Sequence, residues 1–436
     1  MSSPQPASFR KWTVLPFFFG TSPKNTQSSE QVASQAKTAH SFRLSRLNRA
    51  LLIAVTLVVV VLTAHTARFS NMRAPKSIEN LSARLTSYKI DAVPFFNRSW
   101  VSPAEHTPAA HCSSICKLPS GDLLAIWYGG TREGAADVSL FTSRLPAGSS
   151  EWTPPERTVD RALAENELDR TVKKVGNAVI FPDRAGNLLM VYVSVSIGGW
   201  SGSALNVKVS RDEGRTWSES RRLTCNPFLN LSSLVRNKPI YTSDGRIGLP
   251  IYHEMAMKFP QMLWLTPAAD GTVADYRIRN LSSENGLIQP SLVPLGGDRI
   301  LMLLRDRRAA HSVHTAYSDD NGWTWSQAQP SNLPNPNAAV DALRLRDGRI
   351  LMVYNHASSG RENLRLAVSS DGGHSWKAGA VLENAERQEF SYPNLVEDSQ
   401  GRIHLTYTWE RKRIRHVTFN LAWLDQPSLA QAESRP

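Results

Sequence analysis

Three short stretches decide the fold: Ser210-Arg-Asp-Glu-Gly-Arg-Thr-Trp217, Ser318-Asp-Asp-Asn-Gly-Trp-Thr-Trp325 and Ser369-Ser-Asp-Gly-Gly-His-Ser-Trp376. All three share the pattern S-x-D-x-G-x-[ST]-W. In a hairpin turn, an aspartate at this spacing accepts hydrogen bonds from backbone N–H groups, the glycine permits the bend, and the tryptophan anchors the turn. We therefore interpret these aspartates as structural. The first two stretches are about twice as far apart as the last two, so a degenerate copy is expected near Ala269-Asp270-Gly271.

A second repeat sets the number of structural units. A glycine turn followed by an apolar strand occurs six times, at residues 120–127, 185–192, 244–251, 296–303, 347–354 and 400–407. A period of about 50 to 65 residues fits four short strands per unit, which is the size of a propeller blade. The sequence thus predicts an all-β fold, a six-bladed β-propeller over residues 87–424.

The shared eight-residue pattern is the Asp box of sialidase-type propellers. On these three boxes, in phase with the blades, the chain resembles the sialidase (neuraminidase) superfamily, and within it the BNR repeat-like branch, over about residues 100–420. The resemblance implies an exo-glycosidase site at the centre of the propeller. That family holds the substrate carboxylate with three arginines, protonates the leaving oxygen with an aspartate, and attacks with a tyrosine paired with a glutamate. It implies neither a metal ion nor a cofactor.

Four stretches resemble the functional segments of that family. Trp127-Tyr-Gly-Gly-Thr-Arg-Glu-Gly-Ala-Ala-Asp137 matches the first-blade motif, which implies Asp137 as the proton donor and Arg132 as a substrate ligand. Arg305, which ends an apolar strand, and Arg361, which precedes the third Asp box, match two of the arginines. A guanidinium presents parallel donors to a carboxylate, which suits an acidic sugar. Glu389-Phe-Ser-Tyr-Pro-Asn resembles the segment with the nucleophile, which implies Tyr392 in that role.

Two positions depart from the family pattern. His111-Cys-Ser-Ser stands where the family has Arg-Ile-Pro, and Gln289 stands where it has the glutamate that pairs with the tyrosine. Because a glutamine cannot take a proton, Tyr392 needs another activator. The candidate activators are Glu389, Glu254 and Asp341. His111 is itself a candidate general acid or base, since histidine titrates nearest to neutral pH.

Further polar residues lie beside apolar, strand-like segments, where burial without a partner is costly. Lys238 and Asp341 are the strongest candidates for the lining of the central site. The others are Asn237, His253, Glu254, Asn335 and Asn337.

The N-terminal region predicts a membrane anchor. Residues 50–67 contain no acid, lysine or arginine, and a helix of this length spans about 27 Å, near the thickness of the hydrocarbon core. Residues 1–49 carry seven basic residues and one acidic residue, which places this tail in the cytoplasm. The chain is therefore expected to be a single-pass type II membrane protein, with a stalk at residues 68–86, its propeller in the periplasm or outside the cell, and a C-terminal tail at residues 425–436. A cleaved signal peptide is the alternative.

The formal net charge of +12 is concentrated beside the predicted membrane segment. Residues 68–100 add six basic residues against two acidic ones, so the remainder of the chain is close to neutral. A nucleic-acid partner is not expected, because such a partner needs a basic face on the folded domain. The expected partner is a glycan or polysaccharide substrate.

Three hypotheses about function follow. The first is a sialidase-like exo-glycosidase that hydrolyses terminal, acidic sugars from glycans or polysaccharide. The second is a polysaccharide hydrolase or lyase that acts on a sugar other than sialic acid through His111. The third is a carbohydrate-binding propeller without catalytic activity.

Overall fold

The computed structural model describes residues 46–70, 73–78, 93–103, 106–226, 229–255 and 257–426. Residues 1–45 of the predicted tail, part of the predicted stalk and residues 427–436 lie outside the described residues. The chain divides into two compact units, residues 1–58 and 59–436. Within the described part, the second unit contains six antiparallel sheets, which confirms the prediction of an all-β, six-bladed propeller.

The longest helix, α1 (Arg46–Ser70), contains the predicted membrane segment. Its leucine, isoleucine and valine side chains between residues 51 and 60 are all at least half exposed. None of the helices in the described part of the chain is both long enough and apolar enough to cross a membrane. The prediction of a transmembrane helix at residues 50–67 is therefore not supported. Two short helices, α2 (Arg161–Leu168) and α3 (Leu421–Leu424), lie in the second unit.

The strands follow the blades in chain order, except that β1 (Phe96–Trp100) belongs to the last blade. Blade 1 contains β2 (Ala109–Lys117), β3 (Leu123–Gly130), β4 (Ser139–Leu145) and β5 (Glu156–Val159). Blade 2 contains β6 (Lys174–Pro182), β7 (Leu188–Val195), β8 (Ser203–Ser210) and β9 (Arg221–Arg222). Blade 3 contains β10 (Ser233–Val235), β11 (Ile240–Tyr241), β12 (Ile247–Glu254), β13 (Lys258–Pro267) and β14 (Val273–Asn280).

The remaining blades complete the ring. Blade 4 contains β15 (Leu287–Gly296), β16 (Arg299–Asp306), β17 (Ser312–Ser318) and β18 (Gln329–Pro334). Blade 5 contains β19 (Asp341–Arg344), β20 (Ile350–Tyr354), β21 (Asn363–Ser369) and β22 (Lys377–Asn384). Blade 6 contains β23 (Phe390–Glu397), β24 (Ile403–Trp409) and β25 (Arg413–Phe419), with β1 as its outermost strand.

Strand β1 closes the ring by pairing with β25. The register runs from Phe96 opposite Phe419 to Trp100 opposite Arg415. Asn420 holds the segment before β1, because its Oδ1 accepts from the N–H of Phe95 at 3.0 Å. The last blade therefore combines strands from both ends of the domain, which brings side chains that are distant in sequence around one centre.

The Asp boxes form hairpin turns between the last two strands of blades 2, 4 and 5. In each box, the aspartate accepts a backbone hydrogen bond from the residue four positions later. These bonds join Thr216 to Asp212 (2.8 Å), Thr324 to Asp320 (2.7 Å) and Ser375 to Asp371 (2.9 Å). Asp270 occupies the equivalent turn of blade 3, between β13 and β14, as predicted for the degenerate copy. The aspartates of the boxes thus stabilise turns.

The hydrophobic core lies between neighbouring blades. Trp376 packs with Leu301 of blade 4 and Met352 of blade 5. Trp217 and Trp325 are partly buried and pack between blades 1 and 2 and between blades 3 and 4. Full burial of an aromatic side chain, as at Trp376, contributes on the order of 3 kcal/mol. Each Asp-box tryptophan therefore holds its blade to the preceding one.

Candidate active site

The inner strands of blades 1, 4 and 6 bend at equivalent positions. Each contains an extra residue in its pairing with the next strand, between His111 and Ser114, between Ile288 and Ser291, and between Ser391 and Asn394. The φ angles inside these bulges are 55° at Cys112, 54° at Gln289 and 55° at Tyr392. A residue other than glycine in this left-handed region costs on the order of 1–3 kcal/mol, and such strain is concentrated at functional sites. The bulges therefore mark the centre of the propeller as the candidate site.

Tyr392 is surrounded by cationic and aromatic groups. The guanidinium carbons of Arg236 and Arg361 lie 5.3 Å and 5.7 Å from the centroid of its ring. The ring of His111 approaches it edge-on, with 4.6 Å between the centroids. The phenol oxygen lies 3.4 Å from Nη1 of Arg305, which donates a long hydrogen bond to it. Side chains from four other blades therefore meet at this tyrosine, and the structure brings the predicted residues Arg305, Arg361, His111 and Tyr392 together.

Two of these arginines are buried beside neutral partners. Arg305 is 7% exposed and donates to Oδ1 of Asn337 at 2.6 Å and to Oε1 of Gln289 at 3.1 Å. Arg236 is 2% exposed and donates from Nη2 to the carbonyl oxygen of Pro393 at 2.6 Å. Its Nε and Nη1 have no partner among the described residues. Because burial of a charge without a counter-ion is costly, the two guanidinium groups form a ready site for an anionic ligand.

A chain of ion pairs borders the tyrosine. Nη1 of Arg361 lies 3.1 Å from one oxygen of Glu389, and Nε of Arg411 lies 2.6 Å from the other. Arg411 also pairs with Glu133. Burial raises the pKa of Glu389, but the hydrogen bond and charge of Arg411 and the charge of Arg361 outweigh it and lower the pKa to about 2. Glu389 is thus an anion fixed by two arginines, which makes it a poor proton acceptor for Tyr392.

His111 is uncharged in this environment. Its ring contacts Tyr128 edge-on at 5.5 Å between centroids, as well as Tyr392. Burial, followed by the charge of Arg411, lowers the pKa of His111 to about 3. The imidazole is therefore neutral at physiological pH and too weakly basic to be an efficient general base.

Gln289 uses both ends of its amide. Its Oε1 accepts from Arg305, and its Nε2 donates to the phenol oxygen of Tyr252 at 3.2 Å. A glutamate in this place would give Arg305 a counter-ion. The glutamine leaves that guanidinium group available to an anion from outside the protein.

A cavity of about 530 Å³ opens beside His111. Its charged side chains are Arg132, Lys174, Arg411 and Glu133, and its aromatic residues include Tyr128 and Trp200. Basic groups outnumber acidic ones, and the histidine is neutral, so the cavity favours a negatively charged ligand.

Asp137 faces a second depression, which it lines together with Phe141 and Arg157. Its carboxylate accepts hydrogen bonds from the backbone N–H of Thr131 at 2.9 Å and from the hydroxyl group of the same residue. These hydrogen bonds lower the pKa of Asp137. Arg132 lies in the cavity beside His111, so the two residues predicted from one motif face different depressions.

Lys238 and Asp341 form a tie between blades. Nζ of Lys238 lies 2.6 Å from Oδ2 of Asp341, whose side chain is fully buried. The carboxylate also accepts from the hydroxyl of Ser291 at 2.7 Å and from the N–H of Leu395 at 2.8 Å. These partners come from blades 3, 4 and 6, so Asp341 joins residues of four blades. This arrangement gives the pair a structural role beside the site.

The other polar candidates have diverse partners. Asn337 accepts a hydrogen bond from Arg305 at its side-chain oxygen and one from Arg361 at its carbonyl oxygen, so it positions both arginines. Asn237 donates to the carbonyl oxygens of Gln289 and Pro290. Glu254 pairs with Arg307, His253 stacks on Phe259, and Asn335 accepts from the N–H of Ala338.

Three residues of the site, Arg236, Arg411 and Glu133, were not predicted from the sequence. Arg236 directly follows the strand β10, much as Arg305 follows an apolar run, so the same pattern would have found it. Glu133 follows Arg132 directly within a segment that was identified. Arg411 lies in the turn between β24 and β25, with a φ angle of 54°, and no local pattern distinguishes it.

Six blades, Asp-box turns and a central tyrosine beside arginines place the molecule in the class of Asp-box propellers. The family model described as the BNR repeat-like domain matches residues 121–405. The chain belongs to this family, which confirms the predicted resemblance to the sialidase superfamily.

Similar proteins include sialidases. A sialidase of Paraclostridium sordellii is 23% identical over 283 residues, which cover 62% of this chain and 58% of that protein, so the chain spans less than two thirds of this relative. The Hadza microbial sialidase Hz136 superposes with a TM-score of 0.64 at 17% identity, covering 75% of this chain and 69% of its own. A leech intramolecular trans-sialidase, solved with 2,7-anhydro-Neu5Ac, superposes with a TM-score of 0.60 at 12% identity. The match covers 75% of this chain and 70% of that chain. The likeness to these solved structures is one of fold.

Proposed function

We propose that the chain is a sialidase-like exo-glycosidase that releases a terminal acidic sugar from glycans or polysaccharide. The observation that carries the proposal is the pair of buried guanidinium groups, Arg236 and Arg305, whose described partners beside Tyr392 are all neutral. A sugar carboxylate is a suitable counter-ion, because it accepts parallel N–H bonds from a guanidinium. Family membership and the sequence relation to a sialidase support the same class.

In this proposal, Arg236, Arg305 and Arg361 hold the sugar carboxylate. The phenol of Tyr392 gives its proton to a water molecule, and its oxygen forms a bond to the anomeric carbon as the bond to the leaving oxygen breaks. A second water molecule then attacks the anomeric carbon and gives a proton to the phenol oxygen as the bond to Tyr392 breaks. A tyrosine suits this step because a carboxylate nucleophile would be repelled by the carboxylate of the sugar. Arg305 donates to the phenol oxygen and so stabilises the negative charge that this oxygen holds before it attacks and regains as it leaves.

The leaving oxygen needs a proton, for which we propose Asp137. Its hydrogen bonds to Thr131 would have to open, and Glu133, in the cavity beside His111, is the competing carboxyl group. Asp137→Asn and Glu133→Gln should be compared on a natural glycoside and on a 4-methylumbelliferyl glycoside, whose leaving group does not need protonation. The variant that lacks the true donor loses activity on the natural substrate much more than on the activated one. If both variants lose both activities equally, neither carboxyl group is the donor.

A second candidate is a propeller that binds acidic glycans without cleaving them. The observation that favours it concerns the residues that could take a proton from Tyr392. Glu389 is held by two arginines, Asp341 is held by a lysine, and the amide of Gln289 cannot accept a proton. In that case the arginines would hold an acidic sugar with no reaction to follow.

Wild type and Tyr392→Phe, tested on a panel of sialosides and uronic-acid polymers, separate the candidates. Release of sugar by the wild type and its loss in Tyr392→Phe, with binding retained, support the glycosidase. Binding without release in both proteins supports the binding module. Release that persists in Tyr392→Phe rules out the tyrosine mechanism and requires a reacting group other than Tyr392.

We also propose that residues 50–67 anchor the propeller to a membrane, outside the cytoplasm. The uncharged run and the basic tail before it support this proposal, as do the exposed apolar side chains of residues 51–60. Alkaline carbonate extraction of cell membranes tests it. The full chain should stay with the membrane and a Leu57→Arg, Val60→Arg double variant should be released, whereas release of the wild type refutes the anchor.

A further inference from the structure

Lys174 is a buried cation that the proposed reaction does not use. The residue is 8% exposed and lines the cavity beside His111. Its Nζ lies 4.0 Å from the centroid of the Trp200 ring. Within the described part of the chain, no carboxylate forms an ion pair with it. Burial lowers the pKa of Lys174, as expected for an ammonium group that lacks a counter-ion.

The backbone around this pair leaves room for both side chains. A Cβ added at Gly134, whose φ is +78°, would lie 3.2 Å from Nζ of Lys174. A Cβ added at Gly176, in the inner strand of blade 2, would lie 2.4 Å from Cη2 of Trp200. Glycine at both positions therefore keeps the ammonium group and the indole ring at the cavity wall.

Among the described residues of the cavity, no acidic side chain is committed to the ammonium group. Glu133, the acidic residue of the cavity wall, pairs with Arg411. Arg132 adds another basic group to the same wall. A cation–π contact contributes about 0.5–2 kcal/mol, which offsets only part of the cost of burying an ammonium group. The remaining cost would be recovered when an anion enters the cavity.

We infer that this cavity is a second anion-binding subsite, in which Lys174 and Trp200 bind an acidic group on a further sugar of the same substrate. The inference rests on the proposed function and narrows it, because the substrate is then an oligosaccharide with at least two acidic sugars. The indole ring provides a flat apolar surface for a sugar ring, and the ammonium group provides the counter-ion for its carboxylate. His111 contacts Tyr392 and also lines this cavity, so the two subsites are adjacent.

Binding to the Tyr392→Phe protein, measured by titration calorimetry, tests the subsite apart from catalysis. The probes are an α2,8-linked sialic acid dimer against 3′-sialyllactose, and trigalacturonic acid against galacturonic acid. In at least one pair, the probe with more carboxylates should bind about tenfold more tightly, because it makes one additional charge-assisted contact. When Lys174→Gln is added to the Tyr392→Phe protein, this preference should disappear, and the affinity for the probe with one carboxylate should stay the same.

Two variants serve as controls. Lys173→Gln removes the same charge from the adjacent, exposed residue and should keep the preference. Lys174→Arg keeps the charge and should keep much of the preference for the probe with more carboxylates. Equal affinity for both members of each pair overturns the subsite alone, as does a preference that survives Lys174→Gln. Absence of binding by all four probes overturns the proposed acidic-sugar function as well.

Discussion

Replacement of Arg236 by methionine is expected to stabilise the fold and to weaken the binding of an acidic sugar. Arg236 is buried against the ring of Tyr392, with one hydrogen bond to Pro393 and two nitrogen atoms that lack a partner among the described residues. Methionine fills much of the space of the aliphatic stem and keeps a contact with the aromatic ring, but it removes the charge. A group that serves ligand binding at the expense of stability should show these opposite effects.

The magnitudes follow from these contacts. Removal of the two unpaired donors should stabilise the fold by about 2 kcal/mol each. Loss of the hydrogen bond to Pro393 should cost about 2 kcal/mol, and the unpaired oxygen of Pro393 about 1 kcal/mol more. The free energy of unfolding should therefore rise by about 1 kcal/mol. In the complex, loss of a buried contact between charged groups costs about 2–5 kcal/mol. The affinity for the acidic sugar should then fall by roughly thirtyfold or more.

Urea denaturation gives the first quantity, and titration with N-acetylneuraminic acid gives the second. Arg349→Met is the matched control, because Arg349 pairs with Asp347 and Asp425 in a turn of blade 5. That variant should lose a little stability and keep its affinity. If Arg236→Met loses more than about 2 kcal/mol of stability and binds the sugar as tightly as the wild type, Arg236 is a structural residue and does not bind the sugar.

Three further outcomes are expected. Gly176→Ala should displace Trp200, which would shift the tryptophan fluorescence and abolish the preference for probes with several carboxylates; an unchanged spectrum would contradict the close contact. Asp371→Ala removes the acceptor of the third Asp-box turn and should lower the free energy of unfolding by about 1–2 kcal/mol without changing kcat/KM, whereas a selective loss of activity would contradict its structural role. Burial lowers the pKa of His111 and of His416, so the unfolded chain binds more protons than the folded one in mild acid. The free energy of unfolding should therefore fall as the pH drops below about 6.5, by about 1.4 kcal/mol per pH unit for each histidine. Thermal melts from pH 7 to pH 5 measure this slope, which His111→Phe should reduce; a flat profile would show that the histidines are not held neutral.

The architecture could be predicted from the sequence because it depends on local patterns. A glycine turn before each apolar strand and an Asp box in a hairpin involve neighbouring residues only, so six copies suffice to count the blades. The position of the degenerate box at Asp270 follows from the spacing alone. The closing role of β1 was not predicted, since Phe96 and Phe419 become partners only when the ring forms.

The site could be predicted only in part. Tyr392, Arg305 and Arg361 carry recognisable motifs, and they meet at the centre. Arg411 acts through Glu389, which lies 22 residues away in sequence, and such a contact leaves no local pattern. The charge states also depend on the fold: the sequence suggests Glu389 as a base, but two arginines lower its pKa to about 2, so it accepts a proton poorly.

Gln289, for which the resemblance to sialidases implies a glutamate, has a physical consequence that the sequence does not reveal. Its amide is fixed between Arg305 and Tyr252, so it cannot neutralise the guanidinium group that it touches. With Arg236 also lacking a carboxylate partner among the described residues, the centre of the propeller has an excess of positive charge. The proposed binding of an acidic sugar depends on this excess of positive charge.

A crystal structure of Tyr392→Phe with N-acetylneuraminic acid would show whether the centre of the propeller binds an acidic sugar. We expect the sugar carboxylate within about 3.2 Å of Nε or Nη1 of Arg236 and of a nitrogen of Arg305, with the anomeric carbon facing residue 392. A carboxylate bound away from both arginines, or a sugar on the outer edge of a blade while the centre stays empty, would contradict it.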